Sequence, residues 1–262
     1  MPSQPETQHL DMRGFQLPYR RAGSGPTVLF LHGAGGSSGW TPWHAALAEQ
    51  VDLISTEHPG WDGAETPDWL DHTTDLAFFY LDVMDRLDLK NVHLVGHSLG
   101  GWTAAEIAIR NTSRLASLTL LCAVGLHVDG MQAADGFLLQ PEARARSLVY
   151  AQKHVDMMVQ RALDPALLDQ NLKNSQIAAK LLWQPRNYNP QLRKWLHRID
   201  VPTLLLWGAN DQVAPPAIAD AYEQLIPNTR KVLIDECGHI PPMEQTAAFL
   251  SNLTAFVKEN AR

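Results

Sequence analysis

Hydrophobic and polar positions follow two patterns along this chain, and segments of the two patterns alternate. Short continuous apolar runs bounded by turn residues are typical of strands buried on both faces. Spacings of three and four between apolar residues, as in residues 73–87, predict helices. Strands are expected at residues 27–31, 51–56, 92–95, 115–123, 203–208 and 230–234. The alternation predicts an α/β fold with a mostly parallel sheet and helices on both faces.

The N-terminal region is less regular. Two short strands are expected at residues 12–15 and 17–21, and residues 1–9 are expected to form a flexible tail. Further helices are expected at residues 41–50, 102–109, 217–225 and 243–258.

The pattern changes after Gly125. Residues 126–197 contain several helical stretches and no convincing strand, and the strand–helix alternation then resumes. We therefore expect one core domain, built from residues 10–125 and 198–262. Residues 126–197 are expected to form a helical cap inserted between strands six and seven.

Composition narrows the class of protein. The 262 residues are 45% hydrophobic and 19% charged, which is typical of a folded domain. A formal charge of −7 without a basic cluster argues against nucleic acid as a partner. Two cysteines, Cys122 and Cys237, are too few for a disulfide framework, and no Cys/His cluster has zinc-ligand spacing. We expect no metal and no organic cofactor.

We expect no targeting signal in this chain. Its start has neither the basic nor the apolar segment of a secretory signal peptide, and no apolar run is long enough to span a membrane. A cytoplasmic location is expected. Both a monomer and a homodimer are compatible with the sequence.

The strongest candidate for a catalytic motif is residues 96–101, Gly-His-Ser-Leu-Gly-Gly. This G-x-S-x-G pattern follows a predicted strand and precedes a predicted helix, which is the context of a nucleophile elbow. Such a turn exposes the hydroxyl of Ser98 and needs small neighbours, which Gly96 and Gly100 supply. The N–H of Leu99, at the start of the helix, would point at charge developing near the serine.

A serine nucleophile needs a base, and the base needs an acid that orients it. Asp211 and His239 each follow a predicted strand, so both are expected at the sheet edge where the elbow lies. Asp235 is the rival acid and Asp129 a remote third choice. The other candidate histidines are interpreted as structural, with His32 bracing a glycine-rich loop: His32, His58, His93 and His97. Cys237 is interpreted as a small packed residue.

Five short segments in this order resemble the α/β-hydrolase family, especially its capped esterase-like members. They are residues 31–33 (Leu-His-Gly), 57–60 (Glu-His-Pro-Gly), 96–101, 206–208 with Asp211, and 238–239 (Gly-His). The likeness covers residues 15–257. It implies a roughly eight-stranded sheet, a Ser98–Asp211–His239 triad and an acyl-enzyme mechanism without a cofactor. It also implies that Ala34 gives the second N–H of the oxyanion hole, beside Leu99.

Substrate contacts are harder to assign. An apolar pocket could be lined by Trp40, Phe137, Leu138, Met157, Trp183 and Ile240, although packing within the protein explains the same residues. Asp62 stands where many relatives have the last glycine of a Pro-Gly-x-Gly turn. It could preserve the turn or bring a carboxylate to the pocket.

We expect a serine hydrolase that cleaves a small or medium apolar carboxylic ester. A carbon–carbon bond hydrolase of ring-cleavage products shares this fold and triad, and Arg186 or Arg193 could bind the carboxylate of such a substrate. Those relatives usually have Asn in place of His97 and Trp in place of Ile240, which argues against that alternative. Lactone or thioester hydrolysis, or a ligand receptor without turnover, are further alternatives.

Overall fold

The computed structural model describes residues 4–12 and 14–261, and within them the chain forms one eight-stranded sheet. The strands are β1 (Gln8–Met12), β2 (Phe15–Ala22), β3 (Thr27–Leu31), β4 (Asp52–Thr56), β5 (Val92–His97), β6 (Leu115–Leu121), β7 (Thr203–Gly208) and β8 (Thr229–Ile234). Their order across the sheet is β1-β2-β4-β3-β5-β6-β7-β8. β2 is antiparallel to β1 and to β4, and every other pair is parallel. The predicted mostly parallel α/β sheet is confirmed.

Helices cover both faces of this sheet. They are α1 (Pro42–Ala48), α2 (Thr73–Arg86), α3 (Leu99–Arg110), α4 (Pro141–Leu148), α5 (Gln152–Leu163), α6 (Leu168–Leu182), α7 (Pro216–Leu225), α8 (Pro241–Glu244) and α9 (Thr246–Glu259). α2, α3 and α7 share one hydrophobic core, and α1 and α9 share the other. β4, β6 and β7 are buried at every position, which explains why apolar residues occupy consecutive positions in them instead of alternating with polar ones, although β4 also buries Asp52, Ser55 and Thr56. No helix in the described ranges has both the length and the hydropathy to cross a membrane.

The N-terminal expectations need correction. Residues 12–15 do not form a strand of their own: Met12 ends β1, Phe15 begins β2, and the two pair across the turn between them. β1 begins at Gln8, opposite Tyr19, so the last two residues of the expected tail belong to the sheet. The polar edge strand gives no buried apolar run, and the sequence pattern therefore does not reveal it.

Residues 126–197, between β6 and β7, contain α4, α5 and α6 together with short 3₁₀ turns. We call them the inserted segment. The main chain of Leu148 accepts a hydrogen bond from the N–H of His239, and α6 contacts the loop after β4 through Asn174. These are two of several contacts between the segment and the core; the N–H of Ala134, for example, donates to the carbonyl oxygen of Gln212. Its expected role as a separate cap stays a prediction.

Candidate active site

Ser98 lies at the sharp turn between β5 and α3. Its backbone angles are φ 55° and ψ −114°, a strained conformation for a residue with a side chain. A Cβ atom on Gly96 would overlap the carbonyl group of Gly100, and one on Gly100 would overlap the carbonyl oxygen of Leu31. Only glycine fits at these two positions. The sequence motif thus folds into the sharp turn that it predicts.

Three side chains meet at this point. The Ser98 Oγ lies 2.8 Å from Nε2 of His239, and Nδ1 of His239 lies 2.8 Å from Oδ2 of Asp211. Because a carboxylate only accepts, Nδ1 carries the imidazole proton and donates it to Asp211. Nε2 is then free to accept the proton of the Ser98 hydroxyl. All three residues are buried, which strengthens the interaction between their charges.

Asp211 is held on its other side by the main chain. Its Oδ1 accepts hydrogen bonds from the N–H groups of Val213 and Ala214, each at 2.9 Å. The carboxylate therefore cannot turn away from His239 without losing both bonds. The rival acids lie elsewhere, because Asp235 is exposed and Asp129 is exposed beside His127.

The backbone of His239 is also fixed. Its N–H donates to the carbonyl oxygen of Leu148 at 2.8 Å, and its carbonyl oxygen accepts from Nε2 of His97 at 2.7 Å. Just before it, the N–H of Gly238 donates to Oε1 of Glu244 at 2.9 Å. The loops that carry the acid and the base also touch, since a Cβ on Gly208 would overlap the carbonyl oxygen of Gly238.

Neither cysteine offers a competing nucleophile. Burial raises the pKa of Cys122 well above its usual range and raises the pKa of Cys237 to about 12. Both thiols therefore stay protonated at neutral pH. Cys122 lies close to Asp211 and His239, but both ring nitrogens of His239 already have partners. Neither ring nitrogen of His239 could bind a metal ion here without losing one of these hydrogen bonds.

The glycine-rich loop after β3 runs past the elbow. Leu99 is the first residue of α3, so its N–H has no partner within the helix. On the other side, Nδ1 of His32 lies 2.7 Å from the carbonyl oxygen of Gly33 and donates to it. That carbonyl and the N–H of Ala34 belong to one planar peptide, so fixing the first also fixes the direction of the second. Trp61 Nε1 donates to the carbonyl oxygen of Ala34 at 2.9 Å.

His32 and His58 form a neutral pair beneath this loop. The N–H of His58 donates to Nε2 of His32, and Nε2 of His58 donates to the carbonyl oxygen of His32, each at 2.8 Å. Nδ1 of His58 accepts from the hydroxyl of Tyr80 at 2.6 Å. Burial lowers the pKa of both histidines, so both stay uncharged and keep one proton each. The expected bracing role of His32 agrees with these contacts.

The expected substrate contacts are scattered. Trp40 is buried in the core under α1 and α9, where it stacks on His44, and Ile240 packs near α4 and α5. Leu138, Met157 and Trp183 are exposed on the inserted segment. None of these residues has a described contact with Ser98, and their role stays a prediction.

Phe137 and Trp183 share a small cluster with Arg186. Their rings pack edge to face, and the Arg186 guanidinium lies 3.9 Å from the centre of the Trp183 ring. Arg186 also forms an ion pair with Asp135. This arginine is therefore already neutralised by a neighbour.

Asp62 keeps the turn that a glycine makes in many relatives, with φ 50°. Its carboxylate faces the glycine-rich loop and α6, where Ser37, Gln170 and Asn174 donate to it. The sequence interpretation missed Asn174, Glu244 and the main chain of Leu148. Only Glu244 had a local signal, as an acid in the first turn after His239.

Comparison with known proteins agrees with this architecture. A 2-hydroxy-6-oxononadienedioate/2-hydroxy-6-oxononatrienedioate hydrolase of Pseudomonas putida is 28% identical over 255 residues, covering 89% of this chain and 88% of its own. A meta-cleavage product hydrolase from Pseudomonas fluorescens IP01 superposes with a TM-score of 0.76 at 19% identity, covering 96% of this chain and 97% of its own. Naproxen esterase from Bacillus subtilis superposes with a TM-score of 0.74 at 22% identity, covering 97% of this chain and 92% of its own.

The family model of the alpha/beta hydrolase fold matches residues 26–246, a range that includes all three residues of the Ser98–His239–Asp211 chain of hydrogen bonds. The protein belongs to the α/β-hydrolase fold family.

Proposed function

We propose that this protein is a serine hydrolase that cleaves a small or medium apolar carboxylic ester through an acyl-enzyme on Ser98. The observation that carries the proposal is the buried chain of two 2.8 Å hydrogen bonds from Ser98 through His239 to Asp211. A hydroxyl paired with a neutral imidazole, which is itself held by a carboxylate, is the arrangement that activates serine for acyl transfer.

Each step uses one of these groups. His239 Nε2 takes the Ser98 proton as Oγ bonds to the ester carbonyl carbon, and Asp211 stabilises the imidazolium that forms. The N–H groups of Leu99 and Ala34 stabilise the oxyanion. His239 then returns the proton to the leaving alcohol. Water, activated by the same imidazole, releases the acid and regenerates Ser98.

The alternative with a specific observation in its favour is a carbon–carbon bond hydrolase. The Pseudomonas putida relative acts on a dienedioate, a substrate with two carboxylates. His97 and Ile240 depart from the usual residues of such hydrolases, and Arg186 is paired with Asp135. These features favour an uncharged ester over an anionic diketone. Lactones and thioesters would use the same residues.

The test is multiple-turnover hydrolysis of p-nitrophenyl esters from acetate to decanoate, with Ser98→Ala beside the wild type. Ser113→Ala, an exposed serine in the loop after α3, is the matched control. We expect turnover in the wild type and the control, a preferred acyl length, and loss of turnover in Ser98→Ala.

Other outcomes discriminate the alternatives. Turnover of a 2-hydroxy-6-oxo-dienoate, with none on any ester, would replace the proposal by carbon–carbon hydrolysis. Binding with a single slow event per site would indicate a receptor. Ester turnover that survives in Ser98→Ala would overturn the mechanism.

A further inference from the structure

Glu57 contains a buried oxygen without a partner. The residue follows β4, and its Oε1 accepts a hydrogen bond from the Ser37 hydroxyl at 2.7 Å and lies 3.4 Å from Nη1 of Arg20. Its Oε2 is fully buried and has no hydrogen-bond partner within the described ranges. A buried carboxylate oxygen without a hydrogen bond lowers the stability of the folded protein, because its desolvation is not compensated. The state of the Glu57 carboxyl group therefore needs an explanation.

A second carboxyl group lies close to that of Glu57. A carboxyl oxygen of Glu57, one of Asp62 and a ring nitrogen of His32 all lie within 4.8 Å of one another. The Asp62 carboxylate is already well supplied with donors: Oδ2 accepts from the N–H of Ser37 at 2.6 Å, and Oδ1 accepts from Gln170 at 2.6 Å and Asn174 at 2.9 Å. Asp62 is therefore the member of the pair that stays ionised.

A metal ion could in principle bridge this cluster, but the bonds of His32 argue against it. Its Nδ1 donates to Gly33, and its Nε2 accepts from the N–H of His58. Neither nitrogen is free to bind a metal without breaking a bond that fixes the glycine-rich loop. A proton between the two carboxyl groups gives Oε2 a partner and keeps every existing bond.

We propose that Glu57 is held as the neutral carboxylic acid, that it donates its proton to Asp62, and that this pair fixes the glycine-rich loop onto α6. The inference rests on the proposed function only for the role of Ala34. The protonation of Glu57 itself does not depend on it.

Hydrogen bonds connect the Glu57–Asp62 pair to the loop that carries the N–H of Ala34. Asp62 binds the N–H of Ser37 from the loop, while Asn174 donates to the carbonyl oxygen of Gly35 at 3.3 Å and accepts from the N–H of Asp62 at 3.0 Å. Ala34 stands next to Gly35 in this loop. Glu57 and Asp62 are thus positioning residues for the oxyanion N–H, and they make its position depend on how α6 is seated.

The surrounding charges set where the pair titrates. Burial first, with the neighbouring Asp62, raises the pKa of Glu57 to about 7 against the opposing effects of Ser37 and Arg20. For Asp62, burial acts to raise the pKa, but donation from Asn174 and Gln170 and the neighbouring His32 lower it on balance. The nearby His58 and Tyr80 stay neutral, since burial lowers the pKa of the first and raises that of the second. The α6 residues at the pair are uncharged amides. Above about pH 7 the second negative charge should repel Asp62 and loosen the loop.

The first test does not involve catalysis. Glutamate side chains are labelled with ¹³C at the carboxyl carbon, and their NMR signals are followed from pH 4 to pH 9, with Glu57→Gln to assign the signal of Glu57. We expect that signal to titrate near 7 and to shift to a lower pH in Asp62→Asn, which removes the negative charge. A Glu57 signal that titrates in the ordinary range of glutamate would overturn the proposal.

The second test asks whether the proton controls the loop. Glu57→Gln keeps a donor towards Asp62 but cannot ionise, and Glu65→Gln makes the same charge change at an exposed site beyond the turn. At pH 9 we expect the wild type and Glu65→Gln to lose roughly tenfold in kcat against Glu57→Gln, less than the loss of a whole oxyanion donor. Hydrogen exchange in residues 33–37 should quicken over the same pH range in the wild type but not in Glu57→Gln.

The two failures are distinguishable. If no ester is turned over, the NMR titration and the exchange rates still decide whether Glu57 is protonated and holds the loop. If Glu57 titrates near 7 but exchange in residues 33–37 is the same in the wild type and Glu57→Gln at every pH, the coupling to the loop is wrong.

Discussion

The side chain of His97 donates a hydrogen bond to the main-chain carbonyl oxygen of His239, 2.7 Å away. The residue directly before the nucleophile therefore holds the residue that activates it. Burial lowers the pKa of His97 to about 3, so this bond persists across the whole working range of a hydrolase. The elbow and the base are joined by this bond as well as by the one between their reacting atoms.

Removing this bond should slow catalysis without abolishing it. His97→Ala leaves the His239 carbonyl oxygen without its donor, and we expect kcat on the best p-nitrophenyl ester to fall roughly 10- to 100-fold because the imidazole is less well oriented. His97→Gln keeps an amide donor and should recover part of the loss. Equal kcat values for the wild type and His97→Ala would contradict the positioning role.

Asp211→Asn should lose activity because it stabilises the wrong tautomer of His239. The N–H groups of Val213 and Ala214 require an acceptor at Oδ1, so the amide oxygen of the new Asn must face them. Its NH₂ group then faces His239 and donates to Nδ1. The imidazole proton moves to Nε2, which can no longer accept from Ser98. We expect kcat to fall about 10⁴-fold, as for the corresponding change in serine proteases, with little change in thermal stability.

Asp235→Asn is the matched control, since Asp235 is an exposed acid before the same histidine. It should leave kcat unchanged. If Asp235→Asn proved the more damaging of the two substitutions, the assignment of Asp211 as the acid would be wrong.

Gly208→Ala should destabilise the protein. The added Cβ would overlap the carbonyl oxygen of Gly238, and a backbone atom cannot move aside as a flexible side chain can. We expect the free energy of unfolding to fall by about 3 kcal/mol or more. Denaturant unfolding measures this, with Gly136→Ala as control because its new Cβ would meet nothing nearer than Nε of Arg144 at 3.6 Å. An equal effect of the two substitutions would refute the overlap.

Stability should fall as the solution becomes acidic. Burial lowers the pKa of His44 and His97 to about 3 and that of His93 to about 4, from an ordinary value of 6.5. The unfolded chain binds protons below pH 6.5 while the folded chain does not, so their contribution is complete above 6.5 and is lost as pH falls towards 3. We expect Tm to drop steadily from pH 6.5 to pH 4.

Two histidine variants check this origin. His93→Asn keeps a partner for Ser117, which lies 2.8 Å from Nδ1 of His93, and removes one titrating group. It should reduce the dependence of Tm on pH, whereas replacement of the exposed His9 by Gln should leave it unchanged. If Tm depended on pH equally in both variants, groups other than His93 would govern acid unfolding.

Glu57 should affect the pH dependence of stability in the opposite direction to the buried histidines. Burial first, with help from Asp62, raises its pKa from 4.5 to about 7, so the folded chain binds the extra proton and stability is lost as pH rises between these values. Glu57→Gln removes that loss. Thermal unfolding from pH 5 to pH 8 should therefore show the variant gaining stability relative to the wild type as pH rises, and a constant difference would exclude an upward pKa shift.

The sequence was most informative where the chemistry is local. Gly96, Ser98 and Gly100 must lie within one turn, so their spacing alone predicts the elbow. Asp211 and His239 follow the predicted strands that correspond to β7 and β8, which is why their position at the sheet edge could be expected from the sequence. The antiparallel edge strand β1 was misplaced because its residues are largely exposed and carry no apolar pattern.

What the sequence did not reveal depends on contacts between distant parts of the chain. Asn174 meets Asp62 across 112 positions, and although its spacing places it on the same face of α6 as Ile177 and Leu181, that spacing does not reveal its partner. The surroundings of Glu57 could not be inferred locally either, because Ser37 and Arg20 contact it from 20 and 37 positions away. Substrate contacts were the least predictable. The sequence does not distinguish an apolar side chain of the inserted segment that lines a pocket from one that faces solvent.

The inserted segment supplies hydrogen bonds to both halves of the site, through the main chain of Leu148 to His239 and through Asn174 to Gly35 and Asp62. It is therefore not an interchangeable module. Specificity could not be transplanted from a relative by exchanging residues 126–197 wholesale. A working chimera would have to retain the groups that make these hydrogen bonds and vary only side chains that take no part in them.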